Sequence, residues 1–342
     1  MQSDQRRVHF YDMRVATNKK KAATPPPMAE IVKALSDRVA EKKGIHAISN
    51  NRAFLEIADI RIDEKLNYAL MLARIADMTA PDACFSNPTA GTSRVARKRK
   101  GEGRGFGAHL MVSLEQEPGR PHTYLTLLEK NHGLHRSHVQ RLLQAVLRGQ
   151  YKEDDEPFSC PDPSGARDKE GRPKMVTFRP MLEFTGHPSE TLLEELQAGV
   201  LKGINIIHAH HKQEVGGHPW LEASEDILRF KATSAKPIKN LWKEMKAFFA
   251  ENATEGYERA RVKFQKPDKT KESVEFDTAT GNIVDDKYVK TRLIQGISPL
   301  MDDSADAIVD HFAALMEEQL MEHRKAVGAA VKSSVQEADA VV

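Results

Sequence analysis

TSRVARKRKGEGRGFGAHLMVSL, residues 92–114, is the stretch on which the reading of this chain turns. Arg94, Arg97, Lys98, Arg99, Lys100 and Arg104 place six cations within eleven residues. Gly101, Gly103, Gly105 and Gly107 then alternate with other residues, and the apolar run Leu110, Met111 and Val112 predicts a strand over 108–114. A cationic, glycine-hinged loop that feeds a buried strand brings backbone N–H groups and side-chain charge close to a polyanion. The same residues also suit a solvated basic loop with no ligand. No Gly-Lys-Ser/Thr follows the glycines, and a strand follows where a phosphate-binding loop would need a helix N-terminus. The segment therefore argues against a P-loop α/β protein.

Working outward, Val8–Val15 is rich in β-branched and aromatic residues and reads as an opening strand. A basic loop, Lys19–Lys21, and Pro25–Pro27 follow, then an amphipathic helix over 28–43 with Met28, Ile31, Val32, Leu35 and Val39 at helical spacing. Short strands are expected at Ile45–Ser49, Phe54–Ile60 and Leu66–Ile75, and a loop over Thr79–Gly91. His122–Gln150 reads as two helices broken at Asn131-His132-Gly133, with Ser137 capping the second. That pattern fits either a helix-turn-helix, with Arg136 and Arg141 at the start of a recognition helix, or a plain helical hairpin. Tyr151–Lys174 is acidic, then Pro/Gly-rich, and reads as a linker or long loop.

Beyond it come a strand at Met175–Phe184, a helix capped by Ser189 and running to about Lys202, and strands at Ile204–Gln213 and Trp220–Lys231. A helix over Lys239–Asn252, strands at Tyr257–Gln265 and Glu272–Asp277, and helices at Asp286–Gln295 and Ser304–Val327 complete the order. Strands and helices mix without βαβ alternation. The expectation is an α+β fold of mixed, mainly antiparallel sheets with helices packed on them, in two subdomains, with a long C-terminal helix. The division expected is 1–150, a basic α+β domain; 151–174, a linker; 175–328, a second α+β domain; and 329–342, a flexible tail.

The net charge of +2 over 342 residues hides an asymmetry. Residues 1–150 hold 25 Lys and Arg against 15 Asp and Glu, a net of +10, and the remainder carries −8. A basic face for an acidic partner follows, or docking of one half on the other. No apolar run approaches the ~20 residues that span a bilayer, and the first residues lack an apolar signal core. Two distant cysteines, Cys84 and Cys160, suit a reducing compartment. The expected location is cytoplasmic, without membrane insertion.

The sharpest enzymatic candidate is INIIHAHHKQ, residues 204–213. His208 and His210 share one strand face and are the residues of a metal-dependent nuclease or hydrolase alternative, with His187, His218, Glu214 or Glu222 to complete a shell. No HExxH or CxxC spacing accompanies them. The acid pairs Asp154-Asp155, Asp285-Asp286 and Asp302-Asp303 fit helix starts as well as a Mg²⁺ site. No convincing catalytic set emerges, and no cofactor is expected. On the cationic side, Arg259, Arg261 and Lys263 alternate on one strand face, where they would track a phosphate backbone.

The order strand, helix, INIIHAHHKQ, ILRFKA, LWKEMKAFFA, ERARVKFQ, SVEFD and long C-terminal helix, with HFYDMRV at the start, resembles the Rex phage-exclusion A proteins and the Kiwa B proteins of bacterial phage defence. The resemblance spans Met175–Leu320 and the first strand; Thr92–Gly107 has no counterpart, so no residue role is carried over. It implies a dimeric, sequence-non-specific binder of double-stranded DNA that senses phage and signals to an effector protein. The candidate DNA contacts are Arg94, Arg97, Lys98, Arg99, Lys100, Arg104, Arg136, Arg141, Arg259, Arg261 and Lys263. An adaptor whose basic half docks an acidic protein is a further alternative.

Overall fold

The computed structural model describes residues 3–19, 23–215, 218–234 and 236–339, with side chains described for these except 209–224 and 328–339. In chain order the elements are β1 (Gln5–Thr17), α1 (Met28–Ala40), β2 (Ile45–Ile48), β3 (Ala53–Asp63), β4 (Tyr68–Asp77), β5 (Ala83–Asn87), β6 (Thr92–Ala96), β7 (Arg104–Gln116), β8 (Thr123–Glu129) and α2 (Arg136–Glu153). There follow β9 (Ser159–Pro161), β10 (Met175–Thr177), β11 (Pro180–Gly186), α3 (Glu190–Ala198), β12 (Val200–Val215), β13 (His218–Lys231), α4 (Leu241–Thr254), β14 (Arg259–Gln265), β15 (Lys271–Asp277), β16 (Thr291–Gln295) and α5 (Asp310–Asp339). The fold is α+β, with mainly antiparallel sheets and a long C-terminal helix.

The chain forms two compact units. The first comprises residues 1–9, 13–184 and 292–342; the second comprises 185–291 together with 10–12. In this division 151–174 lies wholly within the first unit, where β9 and β10 pair, and α5 belongs there as well.

The first unit is built on a sheet of order β11-β1-β8-β7-β4-β3-β2, with β16 also paired to β1. β8 is buried at every residue and β1 at most, as strands inside a sheet covered on both faces must be. α1 and α2 pack on each other and on β3, and α5 lies against β7 and β8. Phe312, Met316 and Leu320 recur every four residues on α5 and are fully buried. Each contributes about 1.5–3 kcal/mol of apolar burial.

The second unit holds a four-stranded sheet of order β13-β12-β14-β15. Its core joins Ile204 and Ile206 of β12, Ala260, Val262 and Phe264 of β14, and Val274 and Phe276 of β15 to Leu192, Leu196, Leu241, Met245 and Phe249 of α3 and α4. Ser189 caps α3, its Oγ accepting from Leu192 N at 3.2 Å. The helix is capped at Gly199, short of the expected Lys202, and the strand β12 begins at Val200.

The helix-turn-helix expectation is corrected. Its first helix is β8, an internal strand, so no helix pair exists there. Thr123, Tyr124, Leu125, Thr126, Leu127 and Leu128 are buried on both faces, and the Leu125–Leu128 spacing reflects continuous burial. The second helix is real, but His135 is its N-cap in place of Ser137. Residues 79–91, expected as loop, include β5; residues 291–295, expected in a helix, are β16. The last helix starts at Asp310, beyond the expected Ser304, and runs to Asp339, into the segment expected as a flexible tail.

Candidate nucleic-acid interface

Among the described residues β5 and β6 pair only with each other, in the register Ala83↔Ala96, Cys84↔Val95, Phe85↔Arg94 and Asn87↔Thr92. Asn87 Oδ1 closes the turn by accepting from Thr89 N and Ala90 N, both at 3.1 Å, and Gly91 takes φ +63°. No residue of this ribbon is buried. Strand alternation sets Phe85 and Arg94 on one face and Cys84 and Val95 on the other. The Arg94 guanidinium carbon stands 4.9 Å from the Phe85 ring centre, a cation–π contact. Phe85 and Val95 are 55% and 52% exposed, one on each face of the ribbon.

The ribbon passes into the basic loop. Lys98 anchors it: its backbone N–H donates to Asp82 Oδ1 at 3.1 Å and its ammonium donates to the carbonyls of Met78 and Ala80. Lys98 is therefore bound to its own chain. Glu102 Oε2 accepts from the Arg99 backbone N–H at 2.7 Å and shapes the turn at Gly101, where φ is +88°. The side chains of Arg97, Arg99 and Lys100 remain exposed, and no carboxylate pairs with them among the described residues. The glycines that follow serve packing. A Cβ at Gly103 would lie 2.8 Å from backbone carbons of Ala76 and Asp77, and one at Gly107 would lie 3.3 Å from Ser304. Gly107 N also donates to Asp303 O at 2.8 Å. Arg104 leans over Phe106 at 5.2 Å from the ring centre.

At the foot of the ribbon lies a cleft of about 380 Å³, lined in part by Phe54, Ile75, Met78, Gly101 and Gly105. Its one cation, Arg74, is held by Glu56 at 2.8 Å and Asp306 at 2.9 Å.

The other expected contacts divide. Arg136 donates to Phe184 O at 2.7 Å and so braces α2 on β11. Arg141 is exposed on α2. Burial above all, then His135 and Arg141, holds the His138 imidazole below its ordinary range. Arg259, Arg261 and Lys263 do share one face of β14, but they belong to the second unit. Glu275 of β15 holds Arg259 at 3.2 Å and Arg261 at 3.0 Å, whereas Lys263 is exposed.

His208 Nδ1–H donates to Gly256 O at 2.7 Å and the ring meets Tyr257 edge-on. The side chains of His210, Glu214, His218 and Glu222 lie outside the described residues. Among the described residues no group of three His, Cys, Asp or Glu is placed to hold a metal. His187 instead pairs with the buried Asp12, Nε2 to Oδ1 at 2.7 Å, and Asn282 Nδ2 donates to the other oxygen at 2.6 Å.

One cluster escapes sequence reasoning entirely. Glu129, 3% exposed, meets the Arg6 guanidinium at 2.9 Å through one oxygen, and the His109 ring and His109 N–H at 2.8 and 3.0 Å through the other. His109 Nε2 accepts the Val309 N–H at 3.0 Å, so the ring proton sits on Nδ1 and faces Glu129. Arg6 also donates to the carbonyls of Met301 and Asp302, both at 2.9 Å. The group is sealed in the core and ties Arg6 of β1 and residues 301–309 to β7 and β8. No motif marks it, since its members are far apart in sequence.

No family model matches this sequence, and no curated protein matches it.

Proposed function

We propose that this chain binds the phosphate backbone of double-stranded DNA without reading base sequence, and that it acts as a homodimer in bacterial defence against phage, signalling to an effector protein. The observation that carries the DNA reading is the exposed trio Arg97, Arg99 and Lys100, without a carboxylate partner among the described residues, at the root of a two-stranded ribbon with no buried residue. A β-ribbon fits the width of a major groove, and cations at its root reach the flanking phosphates. Arg94, stacked on Phe85, would sit on the inserted part. The defence role rests on the resemblance in element order alone.

Band shifts or anisotropy across a salt series test the binding. Each phosphate contact contributes about 0.9 to the slope of log affinity against log salt. Arg97→Ala/Arg99→Ala/Lys100→Ala should therefore lower that slope by about 2.7. An unchanged slope and affinity would remove the loop from the interface. An acidic protein partner is the second reading, favoured by the exposed Phe85 and Val95; capture that survives nuclease treatment would select it.

A further inference from the structure

The strand register of the second unit assembles a cationic plane that no single strand reveals. On β12, Ile204 and Ile206 point to the side of α3 and α4. Their partners on β13, Phe230 and Leu228, point the same way, and Phe230 meets Phe248 of α4 at 5.3 Å. The intervening residues face the other side. There the register aligns Lys231, Gly203, Lys263 and Ser273 in one row across the four strands. The next row is Arg229, Asn205, Arg261 and Glu275, and the third is Ile227, Ile207, Arg259 and Asp277.

Two columns of cations thus flank β12: Arg229 and Lys231 on one side, Arg259, Arg261 and Lys263 on the other. Strand spacing sets the columns about 9.6 Å apart, and strand rise sets successive cations about 6.8 Å apart within a column. The strip between them is uncharged, and its Asn205 and Ile207 are buried between the columns. Gly203 has no side chain, and a Cβ there would lie 2.5 Å from Phe230 O, so the backbone of β13 enforces the gap. Acid is confined to the margin. Glu275 neutralises part of Arg259 and Arg261, Asp277 is turned to Thr280 at 2.8 Å, and Glu225 stands beyond Ile227. Arg229, Lys231 and Lys263 are exposed, and none has a carboxylate partner among the described residues.

We infer that the exposed cations flanking β12 on this sheet face form a second docking surface for the phosphate backbone of a nucleic acid duplex, with Arg229, Lys231 and Lys263 as its principal contacts. Charge complementarity selects a polyanion, and the absence of aromatic side chains from the three rows selects phosphate contact over base stacking. The inference rests on the reading that the chain binds a nucleic-acid backbone, but it uses a different unit and different residues.

The test is a salt series on the full chain with a mixed-sequence DNA duplex, comparing wild type, Arg229→Ala/Lys231→Ala/Lys263→Ala and the loop variant Arg97→Ala/Arg99→Ala/Lys100→Ala. The sheet variant should lower the salt slope by about 2.7, and Arg229→Lys should keep it. A sheet variant with the wild-type slope overturns this inference and leaves the loop reading standing. A loop variant with the wild-type slope, beside a weakened sheet variant, does the reverse. Wild type that fails to bind duplex at low salt overturns both. Thermal melting of each variant excludes unfolding as the cause, since all three sheet positions are exposed.

Discussion

Glu129 shows how a single side chain can hold distant parts of one core. It is buried with both oxygens engaged, by Arg6 and by His109. A buried ion pair adds little over a well-packed apolar replacement, but removing one partner strands the other in a medium that cannot solvate it. Glu129→Gln leaves the Arg6 guanidinium charged beside an amide and should cost about 3–5 kcal/mol in urea unfolding. The double change Arg6→Met/Glu129→Leu should recover much of that loss. Equal stability of wild type and Glu129→Gln would mean that the charge is not sealed off as the geometry indicates.

At the scale of elements, the join of α1 to α2 runs through Glu153. Its carboxylate meets Arg38 at 2.5 Å and Lys43 at 2.6 Å, and these hold its pKa down at about 2. Because the folded value lies below the unfolded one, the contribution is complete above the ordinary glutamate range. It is lost as pH falls toward 2. Melting temperature against pH should therefore fall less steeply in Glu153→Gln than in wild type over that acid range; parallel curves would refute the coupling. The same scale shows what the sequence discloses. Amphipathic helices such as α1, with Met28, Ile31, Val32 and Leu35 inward, are legible because one face stays wet. β8 is not, because a strand covered on both faces has no period to read. β5 and β6 hide for the opposite reason: neither face is buried, so no apolar alternation appears. The cationic residues of the loop are plain in sequence, whereas the anchoring role of Lys98 depends on carbonyls that only the fold brings near. The alignment of Arg229 and Lys231 with Lys263 depends on β12, which separates them, and so on a register no local pattern encodes.

Across the whole molecule, stability should be uneven in a defined way. β8 lies between β1 and β7 with every residue buried, while the β5–β6 ribbon has only its own ladder. Local opening follows burial and contact. Hydrogen exchange on the native protein should find the amides of Tyr124–Leu128 among the slowest and those of the ribbon among the fastest. Ribbon amides as protected as β8 would show that the arm is covered, most simply by a second copy. Phe85 and Val95, exposed on this arm, add nothing to the folded core.

The Arg6 linkage has a consequence for how the polypeptide is made. The first strand emerges from the ribosome early, yet Arg6 bonds the carbonyls of Met301 and Asp302, and Ile297 and Met301 donate to Asp4 and Ser3. Residues 297–302 must therefore be made before β1 can close these hydrogen bonds. Until then the nascent chain carries an unfinished edge at β1, and loss of residues 297–302 would leave that edge open.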